Sequence, residues 1–275
     1  MAINIILALA DGSPNTDSTL STAVMAGRKL GAHLTVLHVR PDPASMVPVV
    51  GEAMSGALVE QMIDSLAQSA DRRADLARAS FQRCCEGKDI DVNFDIVTGA
   101  APDVIGIRGR LADLIAVCRP SGDDIPTQTA VLDAALFDTA RPVLIAPSVA
   151  PSTLCEHAVI AWNGSIEATR AVAGGMALLR LAKRVTVLVV GNDDRRLSAD
   201  ALKAYLGRHG VTATIERIPS EGGPTGKLLV ERAVALGGDL LAMGAYGHSR
   251  VRELILGGAT HHVIANGGIT VLMDH

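Results

Sequence analysis

The stretch Ile5-Ile6-Leu7-Ala8-Leu9-Ala10-Asp11-Gly12-Ser13 recurs 152 residues later as Ala158-Val159-Ile160-Ala161-Trp162-Asn163-Gly164-Ser165. Each copy is an apolar run ending in an acidic or amide residue and Gly-Ser, the pattern of a buried strand that empties into a turn. An alanine-rich helical stretch follows each copy (19–31 and 167–182), and then a β-branched strand (34–39 and 185–190). Farther on, Leu111-Ala112-Asp113-Leu114-Ile115-Ala116-Val117-Cys118 matches the run around Asp239-Leu240-Leu241-Ala242-Met243, now only 126 residues away. The first copy therefore carries 26 extra residues, placed between its second and fourth strands in 41–87. That segment opens with Pro41, Pro43 and Pro48, then sets Leu58, Met62, Leu66 and Ala70 at helical spacing, which predicts an extended loop and a helix over about 57–85. Both copies close on a short strand, Pro142-Val143-Leu144-Ile145-Ala146 and Ile269-Thr270-Val271-Leu272-Met273.

Strands alternating with helices of this length build parallel βαβ units. The expected fold is α/β: two doubly wound domains, residues 1–149 and 150–275, each with a five-stranded parallel sheet, divided in the Pro- and Ser-containing linker at 147–153. Two similar domains in one chain predict approximate two-fold packing, an intramolecular pseudo-dimer. Whether two chains also form a homodimer is left open by the residues.

Composition removes several function classes. At 48% hydrophobic the chain has ample material for a buried core, so a soluble globular protein is expected. A net charge of −4, with one Trp, two Tyr and three Phe, argues against nucleic acid as a partner. No apolar run approaches the roughly 20 residues that span a bilayer, so no membrane partner is expected. The run from Ile3 to Ala10 ends in a signal-peptidase-like Ala8-Leu9-Ala10 but lacks a basic leader, and it reads as a buried first strand. Cys84, Cys85, Cys118 and Cys155 show no CxxC spacing, which points to a reducing cytoplasm, and no metal site is expected. The pair His261-His262 lacks the i, i+4 spacing of a helical ligand pair and reads as surface histidines.

The candidate site lies near the C-terminus. Leu240, Leu241, Ala242 and Met243 run into Gly244-Ala245-Tyr246-Gly247, and Gly257-Gly258-Ala259-Thr260 follows. Glycines let a ligand approach the backbone, and the outward amides of a following helix favour an anion. An ordinary turn is the competing reading. In open α/β sheets ligands bind at the carboxyl ends of the strands where strand order reverses. Asn163 and Gly244 would end the two strands that flank that point in the second copy.

The repeated unit, with Asp/Asn-Gly-Ser after its first strand and Gly-x-x-Gly-x9-Gly after its fourth, resembles the universal stress protein family in tandem form. The resemblance covers nearly the whole chain and implies strand order 3-2-1-4-5 in each domain. It also implies an adenine nucleotide, ATP or a relative with or without magnesium, in the C-terminal domain, and a role in stress response or regulation. Gly244, Gly247 and Gly257 fall on the motif glycines, while Gly258 stands where the family usually has Ser or Thr. That departure removes a hydroxyl hydrogen bond, typically worth about 0.5–1.5 kcal/mol, for which Thr260 is only a partial substitute. Ala259 completes the glycine-rich turn. Asn163 replaces the Asp that often meets the adenine or ribose, and Ala161 and Val189 are the implied walls of the base pocket, with Met243 a further lining candidate. In the first copy Cys118 and Ser121 stand opposite Gly244 and Gly247 and no glycine pair follows. Asp11 survives there, and that half is expected to be structural. Some relatives bind no nucleotide, so a nucleotide-free interaction module is the alternative.

Two other motifs compete. Gly222-Gly223-Pro224-Thr225-Gly226-Lys227-Leu228 imitates a phosphate loop, but its spacing is one residue short and Leu228 sits at the magnesium-binding hydroxyl position. Lys227 is expected to be a solvated helix residue. Gly247-His248-Ser249-Arg250-Val251 approaches a hydrolase nucleophile elbow, yet Val251 replaces its second glycine, and Asp274-His275 is expected to be a frayed terminus. Arg250, Arg252 and Glu253 fall on the connection over the crevice, where an arginine could pair with phosphate. No general base or dedicated magnesium carboxylate accompanies the glycine loop, so at most slow ATP hydrolysis is expected, and no catalytic residue is assigned.

Overall fold

The computed structural model describes residues 2–43, 56–191, 197–246 and 258–275. The first half runs β1 (Ile5–Leu9), α1 (Thr16–Leu30), β2 (His33–Arg40), α2 (Gly56–Cys84), β3 (Val92–Thr98), α3 (Ala101–Arg108), β4 (Leu114–Cys118), α4 (Ile125–Asp138) and β5 (Val143–Ala146). The second runs β6 (His157–Ala161), α5 (Ile166–Leu179), β7 (Arg184–Val190), α6 (Ala199–Arg208), β8 (Ala213–Ile218), α7 (Thr225–Ala235), β9 (Leu240–Gly244), α8 (Ala259–Asn266) and β10 (Thr270–Asp274). The extra residues of the first copy thus fall in the connection between β2 and β3, where α2 runs 29 residues against ten in its counterpart α6.

The two sheets are one. Ten strands lie in the order β3-β2-β1-β4-β5-β10-β9-β6-β7-β8, so each half has the order 3-2-1-4-5. All pairings within a half are parallel, and the seam between β5 and β10 is antiparallel, with Val271 opposite Ile145, Leu272 opposite Leu144 and Met273 opposite Val143. Strand alternation sorts the core into two layers. Ile6, Ala8, Leu34, Val36, Leu144, Ile160 and Leu272 bury on one face. Leu7, Leu9, Leu37, Ile115, Ile145, Leu241 and Val271 bury on the other.

The Asp113/Asp239 repeat has a structural cause. Asp113 Oδ2 accepts from the amides of Asn4 (2.8 Å) and Ile5 (3.1 Å). Asp239 accepts in the same way from Glu156 (3.0 Å) and His157 (3.1 Å). Each carboxylate therefore locks the start of the first strand of its half beside the fourth.

Side chains also fasten the halves together. Arg119, directly after β4 and only 3% exposed, sends its guanidinium to the carbonyls of Val263 (2.6 Å), Ile264 and Ile269 (3.2 Å). The first two are among the last carbonyls of α8, at the negative end of the helix dipole, and that of Val263 also accepts from the Gly267 amide at 2.9 Å. Burial lowers the Arg119 pKa to about 10, which leaves the cation intact at neutral pH. Near the exit from β9, Phe137 near the end of α4 packs on Tyr246 (centroids 5.4 Å) and edge-on against His275 (4.6 Å). Asp274 and His275 are therefore not the frayed end expected from sequence: Asp274 pairs with Gly244 and its carbonyl accepts from the Ala245 amide at 2.9 Å. Lys29 of α1 reaches Glu156 at 3.2 Å, beside Lys183 at 2.5 Å.

Replacing Arg119 with Met keeps the apolar stem but strands buried carbonyls. The expected result is a loss of about 2–4 kcal/mol of unfolding free energy in urea titration, whereas an unchanged midpoint would refute the clamp.

Candidate functional site

The crevice of the second half lies where β6 and β9 end. Ala161, at the end of β6, and Met243 in β9 are buried in the same core layer on neighbouring strands. Val189 is not with them: it buries on the opposite face of the sheet, beside Trp162. The residue of β7 that shares the Ala161 face is Val190, two positions beyond Leu188, the register partner of Ala161. In a strand one residue of offset exchanges faces, and strand-end position alone does not resolve it.

Asn163 is exposed, and its Oδ1 accepts from the Ser165 amide at 3.0 Å. This turn leads into α5, whose first turn is capped by Ser165 Oγ accepting from the Ala168 amide at 3.1 Å. Gly244 is explained by that helix start. A Cβ there would stand 2.5 Å from the Ala168 nitrogen and 2.6 Å from the Glu167 carbonyl carbon, so the close approach of backbone to strand end itself requires glycine.

Gly258 is the residue preceding α8, with Ala259 the first of the helix. Thr260 is 3% exposed, and its Oγ1 accepts from the Tyr246 amide at 3.1 Å. This bond ties the N-terminus of α8 to the exit from β9. It also commits one lone pair of the hydroxyl that would compensate for Gly258. Gly247 and Gly257 lie outside the described residues, as do His248, Ser249, Arg250, Val251, Arg252 and Glu253, and with them the elbow-like motif. The structure thus brings Ala161, Met243, Gly244, Gly258, Ala259 and Thr260 to one end of the sheet, with Asn163 at its rim.

Lys227 is a half-exposed residue of α7 with Glu231 one turn on, at 3.8 Å. Gly226 serves packing, since a Cβ there would lie 2.6 Å from the Ala259 carbonyl oxygen. Among the described residues no three His, Cys, Asp or Glu side chains are grouped to hold a metal, and no helix is long and apolar enough to cross a membrane.

The first half holds a feature that sequence reading does not find: an open cleft at the carboxyl ends of its strands. Leu9, Val39, Val117 and Cys118 line it, the positional counterparts of Ala161, Val190, Met243 and Gly244. No long loop follows β4 there. A short 3-10 turn at Gly122–Asp124 passes straight into α4, whose Thr127 and Gln128 close the side where the other half has its glycines. The Asp11 carboxylate is fully engaged, accepting from the Ser13 amide (3.0 Å), Thr16 Oγ1 (2.8 Å) and Gln128 Nε2 (2.8 Å). Burial opposes its ionisation, but the hydrogen bonds outweigh it and hold the pKa below the usual carboxylate value. Burial and the nearby Asp11 push the Cys118 thiol up, so it remains protonated. His38, 1% exposed, meets the Ala10 carbonyl through Nδ1 at 2.7 Å, and burial lowers its pKa.

The molecule is therefore a tandem α/β protein with a strand-end crevice in each half. The sequence model of the universal stress protein family matches residues 2–108. Residues 2–108, most of the first half, are thus similar to that family. A universal stress protein from Archaeoglobus fulgidus DSM 4304 is similar over 98% of this chain and 96% of its own, at 18% identity and a TM-score of 0.68. A functionally unknown protein from Pseudomonas aeruginosa PAO1 is similar over 99% of this chain and 92% of its own, at 15% identity and a TM-score of 0.57. These likenesses extend the fold over both halves. No curated protein sequence matches the chain.

Substituting Gly244 by Ala is expected to cost about 1–3 kcal/mol in thermal or urea unfolding with no ligand present, because the obstacle is backbone. Full stability of that variant would return the glycine to a role in ligand approach alone.

Proposed function

We propose that the C-terminal half, taken as residues 150–275, binds ATP or a related adenine nucleotide, and that the protein acts in the cytoplasm as a sensor or regulator in stress response. The observation that carries this reading is the bond from the Tyr246 amide to Thr260 Oγ1, which sets the N-terminus of α8 beside the end of β9. A helix start presents amides without intrahelical partners and a partial positive charge to a phosphate. Ala161, Val190 and Met243 offer an apolar wall for the base, and Asn163 an amide donor at the rim. The described residues therefore fit both ends of a nucleotide. Any magnesium would arrive on the phosphates, and no described side chain is assigned a catalytic role.

The alternative, an interaction module without nucleotide, draws on Gly244, whose presence helix packing already explains. Equilibrium dialysis with labelled ATP separates the two. Saturable binding that weakens at least tenfold in Gly247→Val is expected, and Gly258→Ser should tighten it about two- to tenfold by restoring one hydroxyl bond. Absence of binding by the wild type, or equal binding by Gly247→Val, would establish the alternative.

A further inference from the structure

The cleft of the first half keeps the apolar wall positions of the second but not its glycine-rich exit. Its floor is apolar: Leu9, Val39, Val117 and Val131 come from three strands and α4. Its charges are the deciding feature. The ionisable residues on its wall are Asp11, His38, Arg73, Cys118 and Asp124. His38 is held neutral and Cys118 protonated, which leaves two carboxylates against one guanidinium.

The guanidinium is already committed. Arg73 comes from α2, which runs 29 residues where its counterpart α6 has ten, and pairs with Asp124 at 2.5 Å. Its place is fixed by the main chain, because α2 crosses the turn after β1 so closely that a Cβ on Gly12 would overlap the Arg73 carbonyl oxygen. Asp124 directly precedes α4 and makes no side-chain cap bond to it, so its carboxylate meets Arg73 and places negative charge at the positive end of that helix. Among the described residues of its lining, a phosphate brought here would face Asp124 and Asp11, with Arg73 already paired. The Coulomb term that favours an anion at a bare helix start is thereby reversed.

We infer that the N-terminal cleft is a binding site for an uncharged, largely apolar small molecule, seated on Leu9, Val39, Val117 and Val131 and screened against anions by Asp11 and Asp124. The inference is independent of nucleotide binding in the other half. It also gives the added length of α2 a task, since this helix supplies the Arg73 that closes one wall.

The test uses two fluorescent probes of one body on the full chain: N-phenyl-1-naphthylamine, which is neutral, and its 8-sulfonate, which is an anion. The neutral probe should bind saturably and the sulfonate at least tenfold more weakly. Thr127→Trp and Ala101→Trp each place bulk at the cleft, Thr127 from an exposed and Ala101 from a half-buried position. Both variants should melt near the wild type and lose the neutral probe at least tenfold. Asp124→Asn should narrow the gap between the probes by freeing Arg73, and saturating ATP should displace neither. No saturable binding of the neutral probe, binding untouched by either tryptophan, a sulfonate that binds as tightly as the neutral probe, or displacement by ATP would each overturn the assignment.

Discussion

The antiparallel seam between β5 and β10 is the constraint on which the remaining architecture depends. Leu144 faces Leu272, and each is the other's counterpart in the repeat, so the contact is of the self-complementary kind that makes closed two-fold dimers. Here it joins two halves of one chain and removes an exposed edge from both sheets, leaving β3 and β8 as the edges of a single ten-stranded sheet. Because the seam is antiparallel and every other pairing parallel, the carboxyl ends of the strands point opposite ways in the two halves. The two crevices therefore open at opposite ends of the sheet.

This geometry explains why each crevice borrows support from the other half. Arg119, at the exit from β4, meets the carbonyl end of α8. Tyr246, at the exit from β9, meets Phe137 near the end of α4. Tyr246 is one residue past Ala245, the counterpart of Arg119, and one contact is a charge on backbone carbonyls while the other is an aromatic pair. The crevices have diverged in the same fashion. One keeps a glycine-rich exit that leads to the start of α8, while the other replaces it with a short turn, a glutamine bonded to Asp11 and an arginine delivered by the long helix α2.

Most of the fold is legible in the sequence because it is written twice. Two copies of strand, turn and helix disclose the βαβ units, and the change in spacing between Asp11/Asn163 and Asp113/Asp239 is enough to locate α2. What the sequence does not convey depends on contacts between distant residues. Arg119 carries no local signal, since its partners lie about 145 residues away. Strand-end position points to Val189 where Val190 shares the Ala161 face, because position alone does not resolve a period of two. The first-half cleft escapes a motif search that looks for glycines, since its walls are ordinary Leu and Val and its selectivity comes from Arg73 and Asp124, 51 residues apart. Asp274 and His275 look frayed by position alone, but strand pairing with β9 fixes them.

If the seam makes the two halves one cooperative unit, native-state hydrogen exchange should find the amides of Val143–Ala146 and Thr270–Asp274 among the slowest in the chain. Their exchange should occur only through global unfolding, with one denaturant dependence shared by β1 and β6 at the centres of the two halves. Exchange of the seam at markedly lower free energy than either centre, or separate unfolding of β1 and β6, would show two domains that merely touch and would contradict a single ten-stranded unit.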